Sequence, residues 1–154
     1  MAATKNRVPR LAVLAALALA LVGAGCGGDD KKEYRDKVND ANKKFESQLA
    51  AAGAKMRAAG QSKSRQQYGE GAKDLQTAVT TFNSTLEDLD TPGDAEDEQK
   101  ALTGALNTFS ATVGRINDAV QSDDESAIRA EIGTLQSEAQ RVESAGDDLE
   151  EAVK

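Results

Sequence analysis

Apolar residues recur three and four positions apart along most of this chain, and that spacing restricts it to packed helices. Tyr68, Leu75, Val79, Phe82, Leu86 and Leu89 follow steps of 7, 4, 3, 4 and 3. Leu102, Leu106, Phe109, Val113, Ile116 and Val120 alternate 4 and 3. Ile128, Ile132, Leu135, Ala139 and Val142 continue the same rhythm, and Leu149 and Val153 keep its register. An earlier stretch is less regular: Tyr34, Val38, Ala41 and Phe45, then Ala52, Met56 and Ala59, with Gln48 or Leu49 between. Such spacing lines one side of a helix with apolar groups, and that side is stable only against similar stripes. No segment shows the sustained alternation of a strand.

Helix punctuation divides the chain at the same places. Gly60 suits a left-handed C-cap, and Ser62 or Ser64 can open the next helix. Thr91-Pro92-Gly93-Asp94 offers a capping hydroxyl before a proline in the first helical position. Ser122-Asp123-Asp124-Glu125 has the form of a capping box, with Glu125 placed to reach back to Ser122. The segments so defined are 30–59, 64–90, 92–121 and 123–153, each roughly 42 Å long at 1.5 Å per residue. Connections this short make sequential neighbours antiparallel. The expected fold is an all-α, up-down four-helix bundle with coiled-coil-like packing. Gly69 and Gly71 together cost about 2 kcal/mol of helix propensity, so the second helix starts either before them or only near Ala72.

The core this pattern can supply is thin. Of the 129 residues from 26 onward, 23 are Val, Leu, Ile, Met, Phe or Tyr, and alanine fills much of the remainder. Small side chains bring helices close but bury little area each, which argues against an internal cofactor cavity.

Charge and composition narrow the function. All 26 acidic residues lie beyond residue 25, where they face 16 basic ones, for a net charge of −10. Nucleic acid needs a clustered basic surface and is not an expected partner. The chain has no His and no Trp, and Cys26 is its single cysteine. Catalysis by His, a Ser–His or Cys–His nucleophile, His-ligated zinc or haem, and an internal disulfide are thereby excluded. Carboxylate pairs alone can hydrolyse glycosides, but they require a cleft and a raised pKa on one member, which a narrow bundle does not provide. The reading is a non-enzymatic protein without a cofactor.

Residues 1–25 read as an export signal. Lys5, Arg7 and Arg10 precede an uncharged run from Leu11 to Gly25. That run is too short for the ~20 apolar residues a membrane-spanning helix needs. Its end, Val22-Gly23-Ala24-Gly25-Cys26, is followed by Gly27-Gly28-Asp29-Asp30. Here the chain resembles a bacterial lipoprotein precursor, whose lipobox sets small residues before a cysteine. The resemblance implies that the Cys26 thiol takes a diacylglycerol, that cleavage leaves Cys26 as first residue, and that residues 26–30 tether the bundle of residues 31–154. It implies a protein held by membrane lipid on the extracytoplasmic face, similar to the small helical envelope lipoproteins of high-GC Gram-positive bacteria. Gly23 stands where that pattern usually has a large aliphatic residue, which leaves open ordinary cleavage after Ala20 or Ala24. An unpaired cysteine in an exported chain, on the other hand, is most simply explained by modification.

Two clusters invite a reading as sites. Glu87, Asp88, Asp90, Asp94, Glu96, Asp97 and Glu98 crowd the second turn, and Asp88, Asp90 and Asp94 are candidate ligands for a divalent cation. The EF-hand spacing fails, with Pro92 at its fifth position and Gln99 at its twelfth. Solvated acids near a helix start explain the cluster more simply. Residues 26–73 hold 11 basic and 7 acidic side chains, whereas 74–154 hold 5 and 19. Lys31, Lys32 and Arg35 therefore sit close to the lipidated end, either attracted to anionic headgroups or paired with Asp147, Asp148, Glu150 and Glu151. The expected role is structural or protein-interacting, with an unidentified envelope protein or a second copy as partner. An amphipathic carrier that opens around apolar ligands is the alternative.

Overall fold

The computed structural model describes residues 29–154, so the leader and Cys26 lie outside the described residues. Four helices follow one another: α1 (Asp29–Ser62), α2 (Arg65–Glu87), α3 (Glu96–Ser122) and α4 (Glu125–Ala152). Among the described residues there is no strand. The chain folds as an all-α four-helix bundle, built from the stripes that the spacing marks out.

One continuous core runs between the helices, from Tyr34 and Val153 at one end to Tyr68 and Ile116 at the other. On α1 the ambiguous turn is filled by Leu49, which is buried, while Gln48 is exposed. The Phe45 and Phe82 rings stack with centroids 4.7 Å apart and fix the register of α1 on α2. The α4 stripe is shallower than its spacing implies. Ile128, Ile132 and Ala139 are only half-buried, and Glu138 occupies a buried position beside them.

The two turns far from the start of α1 share one architecture. Neither Gly60 nor Ser122 plays the part its sequence suggests. Helix α1 continues through Gly60 to Ser62, and the left-handed residue is Lys63, at φ 55°. The Ser64 amide donates to the Ala59 carbonyl at 3.0 Å, the long bond of a Schellman motif. Ser64 then serves as N-cap of α2, its side chain accepting from the Gln67 amide. Sixty residues on, Asp123 is left-handed at φ 61°, and the Asp124 amide donates to Ala119 O at 2.9 Å. Asp124 caps α4 by accepting from the Ser126 and Ala127 amides. The expected capping box does not form, because the two-residue turn of Asp123 and Asp124 keeps Ser122 as the last residue of α3. Its hydroxyl donates to the Asp118 and Ala119 carbonyls, and Glu125 pairs with Arg129 instead.

The middle connection is also longer than expected. Helix α2 ends at Glu87 with Asp88 as C-cap, and α3 begins at Glu96 rather than at Pro92. Ala95 precedes α3 without any side-chain cap and is 0 % exposed. Burying this methyl as a plug in the core sets where the helix starts, and the Thr91 hydroxyl is drawn to Gln99 Oε1 at 2.8 Å.

Gly69 and Gly71 both lie inside α2, which begins at Arg65. Neither has a positive φ. A Cβ on Gly71 would come 2.7 Å from Met56 Cγ and 3.2 Å from the Ala52 carbonyl oxygen and the Met56 nitrogen of α1. Close approach of two backbones, not a turn, requires the glycine. The outer face of α2 carries Thr77, Thr80, Thr81 and Thr85, each hydroxyl donating to the carbonyl four residues back.

Candidate functional site

The start of α1, the connection between α2 and α3, and the end of α4 meet at one end of the bundle. This base follows Cys26 by three residues, and it gathers the side chains that the sequence singles out. Cys26 itself lies outside the described residues.

Lys31 is the centre of the base. Its ammonium forms an ion pair with Asp94 and donates to the Ala152 carbonyl at 3.1 Å. Helix α4 has no basic residue of its own in its last turn, so Lys31 of α1 supplies the cation that terminal carbonyls favour. The hydrogen bond from Lys31 holds the Asp94 carboxyl below its ordinary pKa. One turn along α1, the Tyr34 hydroxyl donates to Gln99 Oε1 at 2.6 Å, and Thr91 donates to the same oxygen. Burial pushes the Tyr34 phenol up to about 12, and its neutral form is locked in place.

This arrangement settles where the candidate headgroup-binding cations lie. Arg35 is turned inward and is 9 % exposed. Lys31 is committed to Asp94 and Ala152. Of the three, Lys32 alone has an exposed side chain. The alternative pairing with the end of α4 takes another form as well. Lys31 finds Asp94 and a backbone carbonyl rather than Asp147 or Asp148, and Glu150 pairs with Lys154. The physical reason is distance along the base: the α2–α3 connection folds under α1, so Asp94 reaches the ammonium.

Asp88, Asp90 and Asp94 are not brought together. Asp88 caps the end of α2. Asp90 borders a hollow of about 130 Å³ with Asp30, Glu33, Tyr34, Lys37 and Leu89. Asp94 borders a different and wider hollow of about 540 Å³ with Asp97, Glu98, Asp148 and Glu151, floored by Ala101 and Ala152. Among the described residues no group of three or more His, Cys, Asp or Glu side chains is placed to hold a metal ion. None of the described helices is long and apolar enough to cross a membrane.

Two features escape sequence reasoning. Between α1 and α2 runs a groove of about 300 Å³ whose floor is Ala41, Phe45, Phe82 and Leu89, with Lys37 and Lys44 on its rim. The apolar spacing predicts these floor residues as core, but not that the helices leave a channel above them. The second is the buried polar set Arg35, Asn42, Asn83 and Glu138. Their positions one step from the apolar stripe are a usable signal, since heptad neighbours of core residues are often covered.

The model of a family described as a domain of unknown function, DUF7018, matches residues 29–149. The chain belongs to that family. The match begins at the first residue of α1 and ends in the last turn of α4, so it spans the bundle and stops short of the leader. No curated protein and no solved structure matches the chain.

Proposed function

We propose that this DUF7018 protein is a lipid-anchored, non-enzymatic envelope module, held on the extracytoplasmic face of the cell membrane by acylated Cys26. The observation that carries the reading is Val22-Gly23-Ala24-Gly25-Cys26 lying immediately before a bundle whose first helix begins at Asp29. A tether of two glycines sets the base of the bundle at the bilayer. The bundle then presents helix faces, and its second half is strongly acidic, with 19 acidic against 5 basic residues over 74–154. That surface suits a basic protein partner and repels nucleic acid and anionic lipid alike.

The test is acylation. Cells fed a clickable fatty acid should label the wild-type protein and not Cys26→Ser, and the variant should leave the membrane fraction. A native product whose mass shows a bare Cys26 thiol overturns the anchor.

The carrier reading has one observation in its favour: the backbones of α1 and α4 scarcely approach each other, although each lies close to its sequence neighbour. Under that reading the 27–154 fragment removes labelled lipid from vesicles, and a fragment that extracts none refutes it.

A further inference from the structure

The bundle consists of two close hairpins joined less closely to each other. α1 lies against α2 and α3 against α4, and α2–α3 forms the joint between the two pairs. The remaining seam, between α1 and α4, lacks comparable backbone contact. Its chemistry fits that looseness. The flank of α1 away from the Phe82 stack carries Arg35, Asn42 and Leu49, seven residues apart, followed by Gly53. Gly53 shares a small void with Leu135 of α4. Arg35 is 9 % exposed, and its Nη1 is buried without a hydrogen-bond partner. A buried polar atom left unpaired loses its hydration with nothing in return, so water entering the seam would be favoured at Arg35. The bonds of Lys31 and Tyr34 to the second hairpin oppose this, and they lie at the base.

We infer that the bundle opens like a book along the α1–α4 seam, with α2–α3 as its spine and Lys31 as its latch. Opening hydrates Arg35 and uncovers the apolar stripe that includes Val38, Leu49, Val142 and Leu149. The hairpins stay intact, because the Phe45–Phe82 stack and the Gly71 contact lie within one hairpin. This device does not depend on acylation of Cys26.

Pulsed dipolar spectroscopy on the full-length chain carrying Cys26→Ser tests it. Spin labels on Ser47→Cys and Ser137→Cys report the seam, and labels on Ser47→Cys and Thr80→Cys report the α1–α2 hairpin; all three positions are exposed. The seam pair should show a short and a long population, and the hairpin pair one narrow distance. Lys31→Ala should raise the long population by about three- to tenfold, the range expected for losing one hydrogen-bonded anchor. Arg35→Met, which removes the buried guanidinium nitrogen that has no partner, should diminish it. A single seam distance unchanged in both variants, or equal broadening of the hairpin pair, overturns the inference.

Discussion

Replacing Gly71 by alanine sets two effects of known sign against each other. Helix propensity favours alanine by about 1 kcal/mol at an interior position. Contact with α1 opposes it: the new methyl would meet Met56 Cγ at 2.7 Å and two backbone atoms at 3.2 Å. Met56 can rotate away, but the Ala52 carbonyl and the Met56 amide belong to a helix and can yield only if α1 shifts. Forcing an extra methyl into a packed contact costs about 1–3 kcal/mol, so the net loss is about 1 kcal/mol, or ~4 °C in Tm for a domain of this size. Gly104 and Gly133 serve as controls, since a Cβ at either meets nothing within 4 Å. There alanine should stabilise by about 0.5–1 kcal/mol. Urea denaturation followed by circular dichroism measures all three. If Gly71→Ala proves as stabilising as Gly133→Ala, the glycine is not there for helix approach and the account of the α1–α2 contact is wrong.

The remaining predictions concern caps, turns and the base. Asp124→Ala should cost about 1 kcal/mol while Ser122→Ala changes stability by much less, because Asp124 and not Ser122 caps α4; equal losses in thermal melts would restore the capping box. Lys63→Gly and Asp123→Gly should each stabilise by up to about 1 kcal/mol, since both residues hold positive φ; a drop in denaturation midpoint for both would contradict the shared turn. The Asp94 carboxyl titrates below its ordinary value in the fold, so its pairing with Lys31 stabilises above the unfolded value, about pH 4, and is lost as pH falls through the lower folded value. Lys31→Met should therefore lower Tm at neutral pH, with the gap from wild type narrowing under strong acid; a gap that widens there refutes the pairing. Phe45→Ala should cost about 3–5 kcal/mol, because it empties a fully buried site and breaks the stack with Phe82.

Helix number, order and buried faces are legible in the sequence because each depends on local spacing and on short connections. The details that are not legible depend on which of several competent groups wins. Ser62, Ser64, Ser122 and Asp124 can all cap, and the Schellman geometry of the preceding helix end selects the two that do. Pro92 is a sound helix opener, yet burial of Ala95 moves the start of α3 past it. Gly69 and Gly71 look like a break in isolation, and only the neighbouring helix shows why α2 tolerates them. At the base, the sequence identifies Lys31 and Asp94 separately, 63 positions apart, and gives no sign that they meet. Arg35 reads as a surface cation because nothing in a local pattern distinguishes the flank facing α4 from the flank facing water.

The threonines on the outside of α2 have a chemical consequence for anything that touches that helix. Because Thr77, Thr80, Thr81 and Thr85 have already given their protons to the turn beneath, each oxygen shows the solvent lone pairs alone. A visitor lying along this strip must therefore bring amide, ammonium or hydroxyl hydrogens, and a bare carbonyl or carboxylate would find no hydroxyl proton there to take.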